Sequence, residues 1–398
     1  MLPYIWDSWY RYDADLQLFH VYYLNVDDHS LVAPEQHHFA AKLGYATTKD
    51  FVNYEYVNHS VLEADSNSYD DTSIWTGCIV KFGHSKRLLA FTSRNSAQQR
   101  IKSWDSQPFN QHLSFAIGDD DEHFQRLQNV HILPDERFYN IASIENDVTI
   151  HAWRDPFIFR NPHDDYAYML VTAQAKGLKV GIKGERAGEH GVIALLRAGA
   201  PKTLSNWQAT GISFAVEASE AEVPRLYYDD AAITHLIAYS CKNDAAYLDD
   251  KANQQYGFYG FHVDLRLISL IAANKNPDAP HLIHIPRSTQ TSLLGFGEDC
   301  LYACQVIPEI GGKIMGFDTT PVITPVTKNV PPHSNENTSD AHNSNAPHLN
   351  APNSNDGNLY TDNINTQPTI NTDNLRLSTV KTLPHLRTAN FDFDDFIL

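Results

Sequence analysis

The chain has 398 residues, long enough for one large or two medium domains, and 42% of them are hydrophobic, enough for a sizeable core. Its formal net charge of −18 repels a nucleic-acid backbone and is indifferent to a neutral ligand. No run of roughly 18 or more apolar residues marks a membrane helix, so neither nucleic acid nor membrane is an expected partner.

Strand signals dominate from Leu16 to Phe317. Leu16–Leu24, Leu88–Ser93, Tyr166–Thr172 and His235–Ser240 are aromatic and β-branched runs of strand length. Each is followed by a second short strand richer in small residues: Gly44–Thr48, Leu113–Gly118, Val192–Leu196 and Gly257–Val263. An aromatic closes the first three units, at Phe51, Phe124 and Trp207. The units recur about every 65 to 80 residues, the length of one four-stranded sheet with its loops. A fifth unit fits Leu282–Ile285 and Leu301–Val306, ending near Phe317. Five such units predict an all-β chain, a five-bladed β-propeller over residues 1–320, with a β-sandwich as the alternative.

From about Pro321 the composition shifts to Asn, Ser, Thr, Pro and His, with few aliphatics and no periodicity. Such a segment buries too little apolar area to offset its ordering entropy, so 321–398 is expected to be a largely disordered tail. Its last residues, Phe391–Leu398, alternate aromatic and acid; they fit docking on a partner or on the propeller, and a solubilised loose end is the preferred reading. The start, Met1-Leu2-Pro3-Tyr4, carries no basic and apolar leader. The four cysteines, Cys78, Cys241, Cys300 and Cys304, show no framework or zinc-site spacing. Both observations point to reduced thiols in a cytoplasmic protein.

Three carboxylates stand in distinctive settings. Asp7 lies between two indoles in Trp6-Asp7-Ser8-Trp9; Asp155 follows a cation in Trp153-Arg154-Asp155-Pro156; Glu222 opens Glu222-Val223-Pro224. Aromatic faces stack on the apolar faces of sugar rings, and a carboxylate among them can act at an anomeric carbon. Taken alone, the first motif also fits a core strand whose Asp ends a turn, and Arg154-Asp155 fits a structural ion pair. Glu217 and Glu220 compete with Glu222, and Asp13 and Asp15 with Asp7. Trp75, beside Thr76-Gly77, fits a stacking site or the core; Tyr259 and His262 read as core.

These motifs, in this order, resemble the levansucrase and invertase group, glycoside hydrolase families 68 and 32. The resemblance runs from Tyr4 to about Asp318. It implies a five-bladed propeller whose first strands line a central funnel. It also implies Asp7 as nucleophile, Asp155 as a stabiliser holding sugar hydroxyls, and Glu222 as general acid/base. Trp6, Trp9, Trp75 and Arg154 are the implied sugar contacts. A retaining enzyme of this kind sets its two working carboxyls roughly 5–5.5 Å apart. The expected reaction is hydrolysis of sucrose or a short fructoside, a small carbohydrate partner. The rival readings are a fructosyltransferase, an inverting arabinan- or xylan-directed enzyme of family 43 type, and a non-catalytic sugar-binding propeller.

Two positions depart from the levansucrase pattern. Val223 stands where Arg commonly follows the acid/base Glu, with Arg225 two places on, and Tyr10 replaces the usual Pro after the second Trp. Both leave the substrate and the balance of hydrolysis against transfer open. No phosphate-binding loop, dinucleotide fingerprint or His-Glu-x-x-His occurs, so no cofactor and no metal is expected. His281 and His284, three apart in a strand-like run, face opposite sides.

Overall fold

The computed structural model describes residues 4–26, 37–38, 40–67, 71–95, 110–139, 152–175, 191–216, 218, 220–242, 255–274, 280–318, 375–389 and 393–398. One compact unit draws on residues 1–319 and 370–398; the other, 320–369, lies outside the described residues.

Five sheets form a five-bladed β-propeller. Blade one is β1 (Tyr4–Asp13), β2 (Leu18–Val26), β3 (Lys42–Thr48) and β4 (Tyr54–Leu62). Blade two is β5 (Ser73–Phe82), β6 (Lys86–Asn95), β7 (Asn110–Gly118) and β8 (Gln125–Ile132). Blade three runs β9 (Trp153–Arg160), β10 (Ala167–Gln174), β11 (Gly191–Arg197) and β12 (Gln208–Val216). Blade four is built on β13 (Glu222–Asp229), β14 (Thr234–Lys242) and β15 (Tyr256–Val263). A ten-residue helix, α1 (Leu265–Asn274), leads to β16 (His281–Ile285); then come β17 (Thr291–Leu294), β18 (Leu301–Ile307) and β19 (Lys313–Asp318). The chain closes with β20 (Leu375–Thr382) and β21 (Leu386–Thr388). Each blade's first strand touches the first strands of the two adjacent blades, so together they form the innermost ring.

The blade interiors explain why their second and third strands are legible. β2 and β10 are buried along almost their whole length, because neighbouring blades cover both faces. A strand with no wet face reads as a continuous apolar run. The outer strand β4 keeps an alternating pattern over its first half because one face meets water. Blades one and two are also clamped by Asp121, 8% exposed, which accepts Arg11 at 2.7 Å, Arg87 at 3.1 Å and the Tyr22 hydroxyl at 3.2 Å. Burial pushes this carboxyl up, but the two guanidiniums hold it at about 2.

Three features differ from the sequence reading. Residues Leu282–Ile285 do not begin blade five. As part of β16 they pair parallel to β12 and widen blade three. The α1 helix, absent from the expectation, lies on the connection into this strand and buries Leu265 and Ile268, and parallel pairing requires such a long connection. Blade five has only β18 and β19 before residue 319, and its third strand is β20, from the stretch expected to be loose.

The end of the tail is likewise part of the fold. β21 pairs with β13, Arg376 reaches Asp299 and Asp318 at 2.7 Å each, and Phe393 and Phe396 are 1% exposed in the core cluster of blades two and three. The alternation of Phe and Asp has a physical reason here. The rings go in, while Asp395 meets Lys202 at 2.8 Å and Arg160 at 3.1 Å outside. Residues 321–374 of the expected tail lie outside the described residues. Among the described residues no helix is long and apolar enough to cross a membrane.

The fold therefore depends on the C-terminus. Phe396→Ala should cost about 3–5 kcal/mol, as for other buried aromatics. Truncation before Leu375 should cost more, because it also strips β20 from blade five. Denaturant melts check both, and an unchanged midpoint in the truncated chain would show that 375–398 contributes no stability.

Candidate active site

The innermost strands share a local irregularity. Pairing slips between Trp6 and Ser8, between Trp75 and Gly77, opposite Leu170 and Thr172 in blade three, between Glu222 and Arg225, and between Tyr302 and Gln305. Four of these strands carry a non-glycine residue in left-handed backbone there: Asp7 (φ 25°), Asp155 (φ 59°), Val223 (φ 51°) and Ala303 (φ 49°). A bulge re-aims a side chain out of the regular pleat. The strain, on the order of 1–3 kcal/mol per residue, persists because adjacent blades over-determine the backbone. In blade two the motif needs glycine for another reason. A Cβ on Gly77 would fall 2.1 Å from the Ala90 carbonyl oxygen.

The bulges bring the three sequence-predicted carboxylates together through short relays. The Thr76 hydroxyl donates to Asp7 Oδ2. The Thr92 hydroxyl donates to the Thr76 carbonyl at 3.0 Å and accepts the Asp155 N–H at 2.9 Å. Asp155 Oδ2 in turn accepts the Thr172 hydroxyl at 2.9 Å and the Val223 N–H at 3.1 Å. Arg154 joins the third member, donating through Nη2 to Glu222 Oε1 while its Nε lies 3.8 Å from Asp155 Oδ2. Asp155 and Glu222 are buried, at 3% and 8% exposure, and Asp7 is half-buried.

Charge is the dominant property of this site. Burial pushes Asp7 up to about 7; Asp155 and Glu222 add to the rise, while the Thr76 hydrogen bond opposes it. Burial also raises Asp155, against Arg154 and its two hydrogen-bond donors. Glu222 is raised by burial and by the like charge of Glu220, against Lys242 and Arg154. Glu222 Oε2 is buried and accepts no hydrogen bond. Glu220 is fully engaged instead: Lys242 Nζ lies 2.8 Å from one oxygen and Arg154 Nη2 3.5 Å from the other. The structure thereby separates the two competing glutamates, while Glu217 lies outside the described residues. Asp13 accepts the N–H groups of Asp15 and Leu16 at 3.1 Å each and serves a turn.

The tryptophans fall elsewhere than expected. Trp6 and Trp9 are each 2% exposed. Trp6 packs edge-on against His37 at 4.7 Å and Trp9 stacks on Tyr22 at 6.3 Å, so both serve the blade-one core. The bulge at Asp7 turns the carboxylate toward Thr76 and leaves its aromatic neighbours in the core. Trp75, 7% exposed, donates its indole N–H to the His38 carbonyl at 2.8 Å. Tyr259 lies under the Arg287 guanidinium at 3.5 Å, and His262 pairs with Asp229 at 2.8 Å, both outside the carboxylate cluster. Lys242 and Thr172 went unnoticed in the sequence, since nothing local marks a lysine or threonine at the end of an apolar strand. Among the described residues no group of three His, Cys, Asp or Glu is placed to hold a metal ion.

No family model and no curated protein matches the chain by sequence. Solved structures match in shape. Inulosucrase from Halalkalicoccus jeotgali bound to kestose superposes with a TM-score of 0.53 at 14% identity, over 79% of this chain and 76% of that one. Levansucrase from Gluconacetobacter diazotrophicus gives 0.50 at 14% identity, over 80% and 75%. A mutant levansucrase from Bacillus subtilis gives 0.50 at 12% identity, over 79% of each chain. At these identities the likeness establishes a shared fold.

The electrostatics make a prediction independent of any reaction. The folded state holds the Asp7 proton more tightly than the unfolded chain does, so stability falls as pH rises from the ordinary carboxylate range to about 7. Asp7→Asn removes that penalty. Above pH 7 the variant should be more stable than wild type by at most about 4 kcal/mol, and the gain should vanish near about pH 4. Melting temperatures across this range check it, and a gain that does not change with pH would contradict the raised Asp7.

Proposed function

We propose that this chain is a retaining glycoside hydrolase of β-fructofuranosidase type, acting on sucrose or a short fructoside. In this reading the ionised form of Asp7, favoured above about pH 7, attacks the anomeric carbon, and the bond to the leaving oxygen breaks. The electron pair stays on that oxygen, which takes the Glu222 proton. Water then surrenders a proton to Glu222, attacks the same carbon and frees Asp7. Asp155, fixed by Thr172, Val223 and Arg154, accepts hydroxyl hydrogens of the sugar ring. Arg154 borders the sugar, while Trp75 packs in the core beside Thr76.

One observation carries the reading: carboxylates from three blades meet through Thr76 and Arg154, and one oxygen of the buried Glu222 is left without a donor. An acid must keep its proton near neutrality, and burial beside Glu220 favours the protonated form of Glu222. A buried acceptor with no partner is also unfavourable until a proton or a ligand hydroxyl meets it. Transfer to a second sugar instead of water is the rival reading, supported by the inulosucrase and levansucrases that share the fold.

Incubation with sucrose, raffinose, levan and aryl pentosides, with products read by chromatography, tests this. Fructose release from sucrose is the expected result, and longer fructosides would favour transfer. Cleavage of pentosides alone, with inverted products, would overturn the fructosidase reading.

The division of work between Asp7 and Glu222 is open to a sharper experiment. Asp7→Ala should abolish turnover of every substrate. Glu222→Ala should lose roughly 100- to 10,000-fold on sucrose, the usual weight of a general acid. It should lose far less in the glycosylation step of a fructoside with a good leaving group. Azide should then give a fructosyl azide of retained configuration. Azide rescue of Asp7→Ala with inverted product, and none for Glu222→Ala, would reverse the two roles.

A further inference from the structure

The central channel continues beyond the carboxylates. A cavity of about 400 Å³ is walled by all five innermost strands, and every residue they contribute lies C-terminal to the bulge that carries the site. Asp7, Asp155 and Glu222 do not line it. Thr388 and Ala389, from the returning C-terminal segment, do.

Its charged lining is Arg11, Lys81, Arg225 and Glu309, three cations to one anion in a chain of net charge −18. Arg11 is answered by Asp121 at 2.7 Å, and Lys81 is exposed. Glu309 accepts the Tyr10 hydroxyl at 2.9 Å and the Thr388 hydroxyl at 2.5 Å. Arg225 differs from all of these. It is 4% exposed, among the described residues it donates only to the carbonyls of Pro224 at 3.1 Å and Gly77 at 3.4 Å, and it stacks over Phe157 at 5.3 Å. No carboxylate among the described residues lies within 4.0 Å of its guanidinium. A guanidinium has five N–H donors, so most of its capacity is unused, and a buried cation without a counter-ion is costly.

We propose that the lower channel is an anion site, in which Arg225 holds a small monoanion, either a halide or the carboxylate of a short organic acid. The planar fork suits a carboxylate through two parallel hydrogen bonds, and apolar lining residues such as Val80, Ile158 and Leu226 can meet a short carbon chain. The site is also coupled to the carboxylates above it. The field of Arg225 favours the ionised form of Asp155, and Asp7 feels the same charge. An anion seated on Arg225 weakens that field, so anion occupancy tunes the protonation of the cluster.

The test uses the full chain and needs no substrate. Crystals soaked in sodium bromide should show an anomalous peak beside the Arg225 guanidinium, and soaks in acetate should show the same position filled by a flat carboxylate. In solution the melting temperature of the wild type should rise saturably with bromide or acetate at constant ionic strength, as binding to the folded state alone requires. Arg225→Met should weaken either affinity at least tenfold. The soaked wild-type crystals decide the matter even where that variant fails to fold. No density at Arg225 in either soak overturns the proposal, and so does a wild-type titration that Arg225→Met reproduces.

Discussion

Arg154 is the interaction on which the centre of this propeller depends. A single buried guanidinium reaches Glu220, Glu222 and Asp155, which arrive from two different blades. Around it the structure gathers four carboxylates, Asp7, Asp155, Glu220 and Glu222, against two contacting cations, Arg154 and Lys242, with Arg225 acting on Asp155 and Asp7 from further off, so negative charge is in excess. Burial in a low dielectric makes that excess expensive. Burial shifts Asp7, Asp155 and Glu222 upward, while Glu220, gripped by two cations, is lowered to about 2. Burial and the negative charge of Glu220 favour the protonated form of Glu222, while Lys242 and Arg154 keep Glu220 ionised.

The same centre explains the strained backbone. Regular strands would present side chains alternately to the two faces of a blade, and few would reach the axis. Left-handed residues at Asp7 and Asp155, and at Val223 directly after Glu222, break that alternation on three inner strands. The surrounding ring must be stiff enough to hold them. Fully buried second strands, the Asp121 clamp between blades one and two, and the C-terminal return through β20, β21 and the Phe393–Phe396 plug supply that stiffness. A chain that leaves blade five at Asp318 and re-enters it at Leu375 closes the ring with its own far end.

Much of this was legible locally. The strand runs from Leu18 to Val263 follow from side chains that must be apolar on both faces, and the five-unit repeat follows from their spacing. Asp7, Asp155 and Glu222 stood out because each sits in an unusual tripeptide setting, and a bulged strand needs an unusual local sequence. The sequence by itself determined the all-β repeat and the residues from which the central cluster is drawn. Tertiary structure alone decided the rest, because those choices depend on partners far away in the chain. Glu222 rather than Glu220 keeps an unpaired oxygen only because Lys242 and Arg154 converge on its neighbour. Trp6 and Trp9 are core residues only because the bulge between them turns Asp7 and not the indoles. Leu282–Ile285 joins blade three because β12 offered an open edge, and Phe393 and Phe396 are buried because blades two and three left a gap that fits two rings. Periodicity reports which face of a strand is dry, but it carries no information about which distant surface will cover it.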